Sequence, residues 1–197
     1  MARIIVAPGH GGVDFGAING KIYEKNLNWD LCIEFKSIME KNFECEIILI
    51  QPSMTNPKVT GREDLYQTIE IANRLHKLNP VDLYLSFHKN SAADKSAHGY
   101  ESFVHNNTKG KIADIYRNQI HTHIMGFLKG YGITDRGKKY SNFAETRETL
   151  MPAILFEDMF ISNEKEVSLL TDKDFMHKLA NEYSYIVSQV LQLERIK

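Results

Sequence analysis

Short apolar runs alternate with longer amphipathic segments along this chain of 197 residues. The short runs are rich in Ile, Val, Leu, Tyr and Phe, which is typical of buried strands. In the longer segments, apolar residues return every three or four positions, as in a helix that packs one face on a core. Five strands are therefore predicted, at 3–7, 46–50, 83–87, 100–104 and 153–156.

The longer segments predict four helices, over about 27–39, 65–78, 109–129 and 172–193. Strands that alternate with helices indicate an α/β fold, here a mixed, twisted central sheet with helices on both faces. The segments 52–57 and 130–142 are rich in Pro, Gly, Asn and Ser and are predicted to be loops. The sequence has no internal repeat and no second-domain boundary, so 1–197 is expected to be one domain.

The composition narrows the class of protein. With 43% hydrophobic and 25% charged residues, the chain is typical of a globular protein. A net charge of −1 without a clustered basic face argues against nucleic-acid binding. No run approaches the ~20 apolar residues of a membrane span, and the first residues lack the apolar stretch of a secretory signal. Synthesis in the cytoplasm without an export signal is expected, and the two cysteines are expected to be free thiols.

Four side chains that bind metals or transfer protons lie where predicted buried segments become polar: His10, Glu24, His88 and Glu157. His10 follows the first predicted strand within three residues, while His88 and Glu157 directly follow the third and fifth. Because ligands of open α/β sheets bind at the carboxyl ends of strands, these three are expected at one sheet edge. Glu24 precedes the first predicted helix, which is expected to start near that edge.

Two imidazoles and a carboxylate are a common ligand set for a hydrolytic zinc ion that keeps one position open for water. A second carboxylate beside such an ion acts as general base or acid. The residues alone leave open which glutamate is the ligand and which transfers protons. Singly, each also fits a structural role, such as a turn residue for His10 or a first-turn helix acid for Glu24. The prediction therefore depends on the four residues together.

The blocks around these residues follow one another in a defined order. They are PGHGG at 8–12, EKNL at 24–27, Arg62 with a later Ala-Asn at 72–73, SFHKN at 86–90, GYE at 99–101 and MPAILFEDMFISN at 151–163. In type and order they resemble the zinc-dependent N-acetylmuramoyl-L-alanine amidases of the amidase-3 family, over essentially the whole chain. Two departures from the family pattern are Ala7, where an Asp is usual, and Asp158-Met159, where a small or apolar pair is usual.

The resemblance implies roles that spacing leaves open. His10, Glu24 and His88 are expected to bind one Zn²⁺, and Glu157 is expected to be the catalytic acid/base. The implied substrate is peptidoglycan, cleaved at the amide between N-acetylmuramic acid and L-alanine of the stem peptide. Asn90 and Arg147 lie near these residues in sequence and are candidate substrate contacts.

Two other functions are compatible with the same four residues. One is a zinc peptidase or carboxypeptidase acting on another amide, and the other is a cell-wall binding protein without turnover. For the amidase, the expected absence of an export signal raises the question of access to the wall. Release by lysis, as for a phage endolysin or an autolysin freed from a lysing mother cell, is the expected route.

Overall fold

Eight strands occur in the computed structural model, which describes residues 1–196. Six of them form the central sheet and two form a short separate pair. In chain order they are β1 (Ala2–Pro8), the short pair β2 (Ile18–Asn19) and β3 (Ile22–Tyr23), β4 (Cys45–Leu49), β5 (Leu83–Asn90), β6 (Tyr100–His105), β7 (Asp135–Ser141) and β8 (Ala153–Phe160). All five predicted strands are present, and β5 and β8 extend three and four residues beyond their predicted ends.

The four predicted helices are also present, and two short ones accompany them. The helices are α1 (Glu24–Asn42), α2 (Gly61–Leu78), α3 (Ile112–Leu128), α4 (Ala144–Glu148), α5 (Glu164–Leu170) and α6 (Lys173–Val190). A capping box of Thr60 and Glu63 starts α2, and Asp172 caps the first turn of α6. Glu24 was expected before the first helix, but it is the first residue of α1.

The sheet is mixed, with the strand order β4-β1-β5-β8-β6-β7. The first four strands in this order are parallel, β6 runs antiparallel to β8, and β7 is parallel to β6. The predicted α/β class with a mixed sheet is therefore confirmed. Its parallel half places the carboxyl ends of β1, β5 and β8 at one edge of the sheet.

One loop prediction is wrong, because the segment 130–142 contains β7. This strand lies at the edge of the sheet and pairs with β6 alone among the described strands. Its residues are exposed or half-buried, and Gly137 near its middle has a φ of 96°. The strand therefore lacks the alternation of apolar residues that identifies a half-buried strand in sequence.

Helices cover both faces of the sheet, as predicted. The larger core lies between the sheet and α1, α3 and α6, where Phe35, Phe87, Phe156 and Tyr183 pack together. A smaller core beneath α2 contains Ala72. Because side chains alternate across a strand, successive residues of β5 and β8 face these two cores in turn. This alternation separates the candidate site from the larger core.

Two further expectations concern membranes and thiols. Within residues 1–196, no helix has both the length and the apolar character needed to cross a bilayer. Cys32 and Cys45 are both buried free thiols, in agreement with the prediction from sequence. Burial raises the pKa of Cys45 to about 11, so its thiol is protonated at neutral pH.

Candidate metal centre

His10 lies in the loop that follows β1. Its backbone has a φ of 64°, in the left-handed region, and the Gln51 side chain donates to its carbonyl at 2.6 Å. On the imidazole, Nδ1 lies 2.9 Å from Asp14 Oδ2 and Nε2 lies 3.2 Å from Glu24 Oε2. Strained backbone of this kind persists where the surroundings fix it, and these contacts hold the ring in one orientation.

Glu24 lies between the two histidines at the start of α1, where only 4% of the residue is exposed. Its Oε2 accepts from the Ala17 N–H and its Oε1 accepts from the Lys89 N–H, each at 2.9 Å. Burial opposes ionisation, but hydrogen bonds from His10 and His88 hold the pKa of Glu24 well below its usual value. The carboxylate is therefore charged, oriented and aimed at both imidazoles.

His88 lies on β5, one strand away from the loop that carries His10. Its Nδ1 is 3.3 Å from Glu24 Oε1, and its Nε2 is 3.3 Å from Glu145 Oε2. Burial disfavours the charged ring, yet the hydrogen bonds to Glu145 and Glu24 raise the pKa of His88 well above its usual value. The surroundings of this ring thus favour a positive charge.

Two glycines allow the loops to approach these side chains. A Cβ on Gly9 would lie 2.1 Å from His88 Cε1, far inside van der Waals contact. Gly16 has a φ of 64°, and a Cβ there would lie 2.6 Å from Glu24 Oε2. Both positions therefore require glycine for the His10, Glu24 and His88 side chains to converge.

The three side chains fit a metal ion. One ligand atom from each of His10, Glu24 and His88 lies within 4.8 Å of the others. The contacts of 3.2 and 3.3 Å between Glu24 and the two rings match the roughly 3.3 Å between tetrahedral ligands of one zinc ion. The carboxylates around the imidazoles favour a positive charge at this place. A bound cation would supply that charge in place of the protons on the rings. Three segments of the chain thus build one candidate cation site.

Glu157 lies beside this group, because β8 pairs it in register with His88 of β5. Its Oε2 is buried and has no hydrogen-bond partner among residues 1–196. Burial raises the pKa of Glu157 to about 7, with the nearby Glu24 and Glu101 adding to the rise and His88 opposing it. A carboxyl with these properties exchanges protons near neutral pH.

Asp14 and Glu145 were not among the predicted site residues, although each holds the outer nitrogen of one imidazole. Glu145 is buried on α4 and also accepts hydrogen bonds from Tyr84 and Ser86 at 2.9 and 2.7 Å. Burial opposes ionisation of this group, but the His88 hydrogen bond lowers the pKa of Glu145. A signal existed in β5, where the polar residues Tyr84, Ser86 and His88 alternate along one face of a buried strand.

The two predicted substrate contacts lie in different surroundings. Asn90 is two residues beyond His88, and its amide donates to Glu101 Oε1 at 2.5 Å. Arg147 lies on α4, where it donates to the Asn142 carbonyl at 2.7 Å and to Glu148 at 2.5 Å. The structure therefore places Asn90 next to the His88 and Glu157 pair, while Arg147 contacts its own neighbours in sequence.

A cleft of about 410 Å³ opens on the α2 side of this site. His10, His88 and Glu145 form part of its wall, and Arg62 and Tyr66 of α2 also line it. The cleft therefore reaches both imidazoles and the Asp14 and Glu145 carboxylates beside them.

Comparisons with known proteins point to one family. A family model described as N-acetylmuramoyl-L-alanine amidase (Amidase_3) matches residues 4–188. An endolysin of Bacillus phage SPP1 is 30% identical over 199 residues, covering 99% of this chain and 68% of the phage protein. A sporulation-specific N-acetylmuramoyl-L-alanine amidase of Bacillus subtilis (strain 168) is 28% identical over 197 residues, covering 99% of this chain and 70% of that protein.

A solved structure agrees with these sequence relationships. The catalytic domain of CwlV, an N-acetylmuramoyl-L-alanine amidase from Bacillus (Paenibacillus) polymyxa var. colistinus, superposes with a TM-score of 0.83 at 28% identity. The match covers 98% of this chain and 100% of that chain. The fold described above is thus the fold of an amidase catalytic domain.

Proposed function

The chain belongs to the N-acetylmuramoyl-L-alanine amidase family, and we propose that His10, Glu24 and His88 hold one zinc ion while Glu157 transfers protons. The family reaction is hydrolysis of the amide between N-acetylmuramic acid and L-alanine of the stem peptide. The chain is accordingly a peptidoglycan hydrolase, which decides against the peptidase and the silent wall-binding protein.

The zinc ligands are positioned by a ring of carboxylates. His10 would bind through Nε2 and His88 through Nδ1, since Asp14 and Glu145 hold the opposite nitrogens. Carboxylates on the outer nitrogen of a ligating histidine fix its tautomer and increase its basicity. When bound, a zinc ion supplies Lewis-acid polarisation of the scissile carbonyl and lowers the pKa of water.

Glu157 is assigned the proton transfers. In its ionised form, Oε2 accepts a proton from the water that attacks the amide carbonyl. The same carboxyl then donates this proton to the nitrogen of the departing L-alanine. A pKa of about 7 suits both steps, because both protonation states are populated near neutral pH.

Asn90 and Arg147 are proposed to contact the substrate. The Asn90 amide donates to Glu101 Oε1, and Glu101 pairs with Glu157 across β6 and β8, so the amide is proposed to meet peptide carbonyls of the stem at this strand end. Arg147 is exposed two residues after Glu145, and its guanidinium is suited to a stem-peptide carboxylate.

This proposal rests on the convergence of three donor side chains beside Glu157 Oε2, which has no hydrogen-bond partner in the part of the chain that the structure describes. Mass spectrometry of digested peptidoglycan tests it, using wild type, Glu157→Gln and, as a matched control, the exposed Glu44→Gln. Wild type and Glu44→Gln should release stem peptides with a free L-alanine amine. Glu157→Gln should lose at least 100-fold of this activity and keep its zinc. Cuts between amino acids of the stem would overturn the assignment.

We further propose that residues 1–197 are the catalytic domain and that it reaches the cell wall after release by lysis. The similarity to a phage protein named endolysin supports this route. Immunodetection in cultures should find the protein in the medium only once cells lyse. Its presence in the medium of intact, growing cells would contradict lysis as the route.

A further inference from the structure

A buried ion pair lies directly behind the metal centre. Lys89 Nζ is 3.2 Å from Asp158 Oδ2, and both side chains are fully buried. Each of these residues directly follows a site residue, His88 or Glu157. Because neighbouring residues of a strand face opposite sides, the pair points into the larger core. The proposed mechanism makes no use of either residue.

The pair coincides with an irregularity in the sheet. His88 pairs with Glu157, but the next matched residues are Asn90 and Phe160, so β8 has one residue more than β5 between them. Met159, within this bulge, has a φ of 65°, in the left-handed region. Bulges re-aim side chains and occur next to active sites. The ion pair thus joins the two strands at the point where their register changes.

Its surroundings are mostly apolar. Tyr183 of α6 donates to Asp158 Oδ1 at 2.5 Å, and its ring packs on Phe87. Taking two charges out of water is unfavourable, and well-packed apolar residues of similar size often stabilise a fold at least as well. Fold stability alone is therefore a weak explanation for this pair.

The contacts of Lys89 lead to the proposed zinc ligand Glu24 by two routes. The Lys89 backbone N–H donates to Glu24 Oε1 at 2.9 Å. The Lys89 ammonium group donates to Asn28 Oδ1 at 3.3 Å. This contact orients the Asn28 side chain, so that its amide nitrogen donates to Glu24 Oε1 at 3.4 Å and to the Gly9 carbonyl at 3.0 Å. The same ammonium group also donates to the His88 carbonyl at 3.3 Å.

We propose that the Lys89–Asp158 ion pair is a positioning device for the metal centre. Asp158 anchors the Lys89 ammonium, which orients Asn28 and thereby holds Glu24 Oε1 in place for the metal. Lys89 and Asp158 touch neither metal nor substrate and act through Asn28 and the strand backbone. This inference rests on the proposed zinc ligands His10, Glu24 and His88.

The test separates positioning from stability by replacing both charges with apolar residues of similar size. The double variant Lys89→Met/Asp158→Leu should unfold in urea, without metal, at a midpoint equal to or above that of wild type. Its zinc dissociation constant, from competition with a chromophoric chelator, should rise about tenfold. Its kcat should fall while KM for peptidoglycan fragments stays constant, because the substrate cleft is unchanged. A folded double variant that binds zinc within twofold of wild type overturns the proposal.

A second buried pair supplies the matched control. Arg117 and Asp114 of α3 are joined at 2.5 Å and contact none of the proposed zinc ligands among the described residues. Arg117→Met/Asp114→Leu should leave zinc affinity unchanged. An equal loss of affinity in this control means that the effect is general destabilisation, and the proposal fails.

Two further variants complete the design. Asn28→Leu keeps the ion pair and removes its link to Glu24, so zinc affinity should again fall about tenfold. Unchanged affinity in Asn28→Leu overturns the proposal even where the double variant does not fold. Glu24→Gln reports on the ligands themselves. If Glu24→Gln binds zinc as tightly as wild type does, the proposed ligand set is wrong. If Glu24→Gln loses zinc binding but the double variant keeps wild-type affinity, only the positioning role is wrong.

Discussion

Each imidazole of the proposed metal centre has a carboxylate oxygen within 3.3 Å of both ring nitrogens. Glu24 is shared between the inner nitrogens, while Asp14 and Glu145 take the outer ones. This arrangement fixes the tautomers and places negative charge around the space that a cation would occupy. Asp14 supplies the carboxylate for the outer nitrogen of His10, while Ala7, where the family usually has Asp, is buried in the smaller core.

Replacement of Gly9 by alanine should disrupt the metal centre. The new Cβ would lie 2.1 Å from His88 Cε1, and the Gly9 N–H bond to the Phe87 carbonyl holds the backbone in place. The imidazole must therefore move. We expect a stability loss of about 1–3 kcal/mol and a zinc affinity reduced at least tenfold. Urea unfolding and chelator competition measure the two effects.

Gly126→Ala is the control for that variant. Gly126 lies in α3, where an added Cβ meets nothing within 4 Å. Alanine in a helix is favoured over glycine by up to about 1 kcal/mol, so this variant should be more stable and bind zinc as wild type does. Normal zinc binding in Gly9→Ala would show that the His88 ring does not depend on this close approach.

The residues of the site differ in how far sequence reveals them. His10, His88 and Glu157 follow apolar runs, so their meeting at one sheet edge is predictable from the pattern. Glu145 follows no such run, because it sits on a helix of only five residues. Its place beside His88 depends on how the chain returns to β8, which short-range patterns do not encode.

At the scale of elements, buried segments were predictable and the sheet edge was not. The strands that form the centre of the sheet are continuous apolar runs, as expected for strands covered on both faces. None of the residues of β7 is fully buried. Its Arg and Lys residues are typical of an edge strand that is protected against pairing with another chain. Its pairing with β6 is a tertiary interaction, which cannot be predicted from the sequence of a charged segment.

The stability of the α3–β6–β7 region should depend on pH through His121. This buried side chain joins Ser102 Oγ at 2.7 Å and Asp135 Oδ1 at 2.9 Å. Burial lowers the pKa of His121, although the Asp135 hydrogen bond opposes the shift. As the pH falls below about 6.5, the ordinary pKa of histidine, His121 takes up a proton in the unfolded chain but not yet in the folded protein. The free energy of unfolding therefore decreases as the pH falls, by at most about 1.4 kcal/mol per pH unit.

Urea unfolding of wild type and His121→Gln at pH 7.5 and 5.5 measures this contribution. His121→Gln should be less stable than wild type at pH 7.5, because a buried hydrogen-bonded group has been changed. The difference should shrink at pH 5.5, where wild type carries the cost of the histidine and the variant does not. Equal differences at the two pH values would contradict the assignment.

At the scale of the whole molecule, the proposed metal centre brings together parts of the chain that are distant in sequence. His10 comes from the loop after β1, Glu24 from the start of α1 and His88 from β5. Glu24 is held in turn by the Ala17 and Lys89 N–H groups of two other segments. The unfolded chain has no such arrangement, so a metal that needs all three ligands binds the folded state selectively.

Zinc should therefore stabilise the entire fold. Selective binding adds about 2.7 kcal/mol at a free zinc concentration of 100 times the dissociation constant, which corresponds to a rise in Tm of roughly 5–10 °C for a domain of this size. Calorimetry of chelator-treated protein, with and without added zinc, measures the rise. Glu24→Gln should abolish it while retaining every histidine and cysteine that could bind zinc in the unfolded chain. A Tm that is independent of zinc in wild type would mean that these three side chains do not hold the ion together.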